Sequence, residues 1–131
     1  MFRRRRNRFA QDQGQAAVEF ALVLPVLCFI LLAILQFGIV FKNYVALTDG
    51  VRAGARKAAV SRELANRDAL TVDAVRRSSR LGTGLNVTVS STWASGSEVS
   101  VEATFPYRVN LLGIVTVRNG VLRSTTTERV E

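Results

Sequence analysis

Residues 16–41 decide the fold: they read AAVEFALVLPVLCFILLAILQFGIVF, an apolar run interrupted only by Glu19 and Gln36. A helix of about 26 residues extends about 39 Å, which exceeds the roughly 30 Å hydrocarbon core of a bilayer. Pro25 removes one backbone donor, a defect that membrane helices tolerate. A cleaved secretory signal normally has a shorter apolar run and a small-x-small site at its end. The sequence therefore predicts a membrane-spanning helix over residues 15–41.

The segment before this run, residues 1–14, is strongly basic. It holds five arginines and one aspartate, so it carries half of the chain's formal net charge of +8. Basic residues next to a span favour the cytoplasmic side and contact anionic lipid. We expect residues 1–14 to be a cytoplasmic leader without stable structure of its own. No aromatic interleaving accompanies the arginines, so nucleic acid is not an expected partner.

Small residues recur after the span with a spacing of four, on a helix expected to continue to about Leu64. This spacing places them on one helix face. Such a stripe lets a neighbouring subunit's helix approach closely, or it packs against the chain's own sheet; we favour the second interpretation. The stripe consists of Ala46, Gly50, Gly54 and Ala58, and beside it lies a second stripe of Leu47, Val51, Ala55 and Ala59.

The remaining residues predict a second helix and several strands. A helix over residues 69–81, capped by Asn66 or Asp68, precedes alternating apolar residues at 85–90 and 99–105. We expect Pro106 to end the second of these strands. Two interpretations of the C-terminal part remain open: a hairpin turning at Asn119-Gly120, or a loop followed by one strand over residues 121–130.

These elements define the expected fold class and domain organisation. The fold is α+β, with a long N-terminal transmembrane helix that continues into a small extracytoplasmic domain. That domain, residues 42–131, is expected to hold the second helix and a three- to four-stranded antiparallel sheet. Trp93 lies in the loop between the first two strands, where it either shields the sheet edge or forms an exposed contact.

The segment Gly14-Gln15-Ala16-Ala17-Val18-Glu19-Phe20 is the candidate functional site. A protease at the cytoplasmic membrane face needs an unhindered, extended scissile position, which glycine supplies. Cleavage after Gly14 would give Gln15 a positively charged α-amine, one helical turn from Glu19. We hypothesise that this amine meets Glu19 of the same or another subunit and fixes the axial register of an assembly. The alternative is that Glu19 only favours a helix N-terminus near the interface.

Two stretches resemble a known family. Residues 14–25, GQAAVEFALVLP, resemble the N-terminal signature of TadE-like proteins, and residues 46–56, ALTDGVRAGAR, resemble the segment that follows the membrane in that family. The resemblance implies a minor pilin or pseudopilin of Flp/Tad (type IVb-like) pili in the bacterial inner membrane. It further implies cleavage by a prepilin peptidase after Gly14, with Gln15 as the new N-terminus and Glu19 and Phe20 as recognition or assembly residues. The implied partners are that peptidase, other pilin subunits, Tad assembly proteins and membrane lipid.

Other classes of function find less support. The chain has no histidine, its one cysteine, Cys28, lies in the apolar run, and its carboxylates show no metal-ligand spacing. We therefore expect no enzyme activity, no metal site and no cofactor. The remaining alternative is an unprocessed single-span anchor that carries a periplasmic scaffold or binding domain.

Overall fold

The computed structural model describes residues 8–111 and 115–131, with side chains over 14–110 and 118–131. It contains two helices, α1 (Arg8–Ala59) and α2 (Arg67–Ser79), and three strands, β1 (Asn86–Ser91), β2 (Glu98–Leu111) and β3 (Val115–Arg129). The strands form one antiparallel sheet in the order β1-β2-β3. The expected α+β fold is confirmed. The chain divides into two compact units, residues up to Leu35 and Gln36–Glu131.

Helix α1 is continuous through Pro25 but differs from its expected bounds at both ends. It begins at Arg8, so residues 8–14 of the expected leader are helical as an N-terminal extension of α1, not as a structure of their own. Extending an existing helix adds one hydrogen bond per residue without a new nucleation cost. At the other end α1 stops at Ala59 rather than Leu64. There the Glu131 amide donates to the Ala59 carbonyl (3.1 Å), which replaces a bond from a further helical turn.

Helix α2 begins and ends two residues earlier than expected. Asn66 occupies the N-cap position, but its side chain makes no capping hydrogen bond. Arg80 ends the helix in the left-handed conformation (φ 51°), with its amide donating to the Arg76 carbonyl at 3.1 Å. The helix thus ends on a non-glycine residue in the left-handed conformation.

One expectation about the sheet is wrong, and one of the two interpretations of the C-terminal part is excluded. Strand β2 runs through Pro106. Its pairing with β1 ends at Thr104, and beyond that residue β2 pairs only with β3 within the described residues, so one of its edges is open at Pro106. Proline is tolerated at such an edge. Strand β3 runs through Asn119-Gly120, and neither residue has the positive φ that a type I′ turn requires.

Glycine at position 120 is explained by side-chain packing across the sheet and not by a turn. It lies opposite Tyr107 in the β2–β3 register. A Cβ atom on Gly120 would lie 2.7 Å from Tyr107 Cε1 and 2.8 Å from its hydroxyl oxygen. The tyrosine ring therefore covers the glycine across the two strands. Residues 112–114, which connect the strands, lie outside the described part of the chain.

The core of the second unit lies between the C-terminal part of α1, helix α2 and the sheet. Every member of the second stripe on α1 is buried in it, and Trp93 is half-buried against it. Buried Thr71 and Ser61 each donate a side-chain hydrogen bond to a backbone carbonyl four residues earlier, at 2.8 and 2.6 Å. The buried apolar side chains are Leu47, Val51, Ala55, Ala58, Ala59, Val75, Leu85, Val99, Val101, Ala103 and Val130.

Candidate functional site

The N-terminal part of α1 presents its apolar side chains to the surroundings. Phe20 is 60% exposed and Leu22 is 73% exposed, and most of the apolar side chains from there to Phe41 are exposed as well. Within the described residues, α1 is the helix long and apolar enough to cross a membrane, and none of its most apolar stretch is buried inside the chain. Such a surface is stable in lipid rather than in water. The helix therefore fits a membrane anchor.

Gly14 lies inside α1, six positions after its first residue, Arg8. A Cβ atom built on Gly14 would meet no atom within 4 Å. Its φ does not lie in the positive region that favours glycine. A glycine in a helix interior costs about 0.5–1 kcal/mol relative to alanine. Neither packing nor backbone conformation thus accounts for glycine at this position.

Gln15 and Glu19 are brought together by the helix. The Gln15 Nε2 donates a hydrogen bond to Glu19 Oε1 at 3.0 Å, across one turn. Both side chains are exposed, as is Phe20. Within the described residues the structure shows no salt bridge to Glu19. The carboxylate is held by a neutral amide and is open to a cation.

The small-residue stripe on α1 lies against the chain's own second helix. A Cβ atom on Gly50 would lie 2.7 Å from Ser79 Cβ and 2.9 Å from the Val75 carbonyl oxygen. One on Gly54 would overlap the Val75 Cγ2 methyl and would lie 3.6 Å from Val101 of the sheet. We expected the sheet as the favoured partner, but α2 makes the closest approach. Ala58 is buried and Ala46 is half-buried.

Two contacts were not anticipated from the sequence. The Arg67 guanidinium lies over the Trp93 ring, with Cζ 4.6 Å from its centroid, and the two residues belong to α2 and a loop respectively. Gln36 Nε2 donates to the Asn110 carbonyl of β2 at 2.8 Å. The sequence did mark Gln36 as unusual, because it is a polar residue within an apolar run. The pairing partner depends on β2 continuing past Pro106, which the sequence did not indicate.

No group of three histidine, cysteine or carboxylate side chains that could hold a metal ion occurs in the described ranges. The expectation that the chain has no enzyme activity stays a prediction. The buried groups described above serve the core, and the exposed acids lie singly or in ion pairs such as Asp73–Arg77, at 2.7 Å.

The geometry defines a protein with one apolar helix fit for membrane anchoring, an α+β unit and an exposed Gly-x-x-x-x-Glu motif at the start of the apolar run. Residues 14–56 match the family model described as TadE-like protein. The predicted resemblance to TadE-like proteins is confirmed over these residues, about a third of the chain, and they contain Gly14–Glu19 and the first three members of the small-residue stripe, Ala46, Gly50 and Gly54. No curated protein and no solved structure matches the chain.

Proposed function

We propose that this chain is a prepilin-like subunit, a minor pilin or pseudopilin, which a prepilin peptidase cuts after Gly14 during assembly of a Flp/Tad pilus. The observation that carries the proposal is Gly14, a glycine that the fold does not require, at the start of the family match. The basic leader before it and the apolar run after it supply the setting that such a protease needs.

The proposed step is hydrolysis of the Gly14–Gln15 peptide bond by one water molecule. The products are a carboxylate on Gly14 and an ammonium group on Gln15. Because Gly14 is helical in the intact chain, the peptidase must unwind this turn before it cuts. Glycine lowers the cost of that unwinding, since it is among the weakest helix formers.

Glu19 gives the cleaved subunit a means of finding its register. In the intact chain its carboxylate accepts a hydrogen bond from the Gln15 amide. After cleavage an ammonium group is available at residue 15, either of the same subunit or of a neighbour. In lipid an isolated charge is costly, so pairing of the ammonium group with the Glu19 carboxylate stabilises the one axial position of the subunit at which the two groups meet.

The test is the intact mass of the membrane-extracted protein after coexpression with a prepilin peptidase. We expect loss of residues 1–14 from the wild-type chain and retention in a Gly14→Val variant. Gly38→Val is the matched control, because Gly38 also lies in α1 and a Cβ there also meets nothing within 4 Å. The control is expected to be cleaved like the wild type.

Retention of residues 1–14 in every wild-type copy, with a peptidase that cuts a known substrate in the same cells, would overturn the proposal. An unprocessed anchor with a periplasmic scaffold or binding domain would then remain. The proposed orientation, with the N-terminus cytoplasmic and the α+β unit outside the inner membrane, is tested separately. In spheroplasts, added protease should digest residues after the span and spare the leader.

A further inference from the structure

We infer that the far end of the β2–β3 hairpin binds the anionic headgroup layer of the membrane that α1 spans, and that the hydrocarbon-spanning part of α1 ends near Leu35. This inference rests on the membrane anchor in the proposed function and not on cleavage. The hairpin end is defined as the described residues Tyr107–Leu111 of β2 and Val115–Gly120 of β3.

The first observation is the contact between Gln36 and Asn110. The Gln36 amide donates to the Asn110 carbonyl at 2.8 Å, so the hairpin end lies at the level of Gln36 on α1. Beyond Thr104 the described structure gives β2 no strand neighbour on its other edge. An open strand edge is not tolerated in hydrocarbon. The hydrocarbon boundary must therefore lie before Gln36.

Length supports the same boundary. Residues 15–35 form about 31 Å of helix, which matches the roughly 30 Å hydrocarbon core. The next six residues, 36–41, add about 9 Å, comparable with one headgroup layer. Phe37 and Phe41 stack in this segment, with ring centroids 6.2 Å apart, and both are exposed. Tyrosine is enriched at that depth, and Tyr107 lies at the hairpin end.

The second observation is the charge distribution along the hairpin. Between Phe105 and Val121 the sequence holds two arginines, Arg108 and Arg118, and no acidic residue. Neither arginine has an ion pair in the described residues, whereas Arg123, farther along β3, pairs with Glu102 at 3.3 Å. Unpaired arginines beside apolar residues at a membrane surface favour lipid phosphate as the partner.

The test uses the full-length Cys28→Ser chain in liposomes of phosphatidylcholine and phosphatidylglycerol, with one cysteine carrying a fluorophore. Asn119→Cys places the label at the hairpin end. Thr127→Cys is the matched control, exposed on the same strand but about 27 Å away. We expect a nitroxide on the lipid headgroup to quench the label at 119 and to leave the label at 127 unaffected. Equal behaviour of the two labels would overturn the inference.

The arginines are tested by replacing both with glutamine. Arg108→Gln with Arg118→Gln should weaken engagement of the hairpin end with anionic liposomes by on the order of fivefold per arginine, measured as quenching at 119. Arg123→Gln should leave it unchanged. Quenching at 119 that is insensitive to the double variant and to removal of phosphatidylglycerol would overturn the assignment of lipid phosphate.

A third label separates this inference from the membrane anchor itself. Leu31→Cys lies in the apolar run and is expected to be quenched by a nitroxide on the acyl chain. If the label at 31 is not quenched, the anchor fails and the inference fails with it. If 31 is quenched and 119 is not, the anchor stands and the inference alone is wrong.

Discussion

Gly54 of α1 and Val75 of α2 approach so closely that a side chain on residue 54 would overlap the Val75 Cγ2 methyl. Val75 is fully buried, and its carbonyl oxygen also lies near Gly50. The two glycines thus allow α2 to cross α1 at close range. Because α2 already covers the α1 surface at Gly50 and Gly54, that surface is not available to a helix of a neighbouring subunit.

Gly54→Ala is therefore expected to destabilise the second unit. Overpacking of a tight contact costs about 1–3 kcal/mol in free energy of unfolding. Combining it with Val75→Ala removes the overlapping methyl, so the double variant should lose less stability than the sum of the single variants, by about 1 kcal/mol. Chemical unfolding in detergent, followed by Trp93 fluorescence, measures this. Gly38→Ala is the control and should cost nothing; additive losses at 54 and 75 would contradict the contact.

Gly120→Ala should also lower the free energy of unfolding, by about 1 kcal/mol, because the new methyl displaces the Tyr107 ring. Gly82→Ala is the comparison, since a Cβ there meets nothing within 4 Å. If residues 119–120 formed a type I′ turn, removing the Tyr107 ring would not relieve the defect. Rescue of Gly120→Ala by Tyr107→Ala, measured by the same unfolding assay, thus distinguishes cross-strand packing from a turn.

Arg67→Gln should expose Trp93 and shift its fluorescence emission to longer wavelength. The guanidinium over the ring contributes about 0.5–1 kcal/mol at a partly exposed site. The chain has one tryptophan, so the emission spectrum reports this residue alone. Arg77→Gln, on the same helix but paired with Asp73, serves as the comparison. An unchanged spectrum in Arg67→Gln would show that the stacking does not persist in solution.

Glu19→Ala should be cleaved after Gly14 yet fail to enter pili. The carboxylate lies five residues beyond the scissile bond and is bonded only to Gln15 in the described structure, so its loss leaves the fold intact. Intact mass measures cleavage, and mass spectrometry of sheared pili measures incorporation. Glu19→Gln keeps the shape but removes the charge, and it should fail like the alanine variant. Normal incorporation of Glu19→Gln would refute charge pairing as the basis of register.

The sequence determined the parts of this protein whose signals are local. The apolar run determines the membrane-spanning part of α1, because a run of 26 residues with only two polar interruptions is long and apolar enough to cross a bilayer as a helix. Alternation of apolar residues sets β1 and the first half of β2. The motif from Gly14 to Glu19 is likewise readable without coordinates, because its chemistry lies within two turns of one helix.

Tertiary structure decided what depends on partners distant in the chain. Asn119-Gly120 has the local signature of a turn, yet Tyr107 across the sheet makes Gly120 part of a strand. Pro106 stays within β2 because β1 ends before reaching it. Gly50 and Gly54 meet α2 rather than chiefly the sheet, and Glu131 ends α1 by bonding Ala59. In each case the local structure depends on a contact with a residue distant in sequence. The periodicity of a short segment carries no information about such a contact, since packing and hydrogen bonding join segments far apart in the chain.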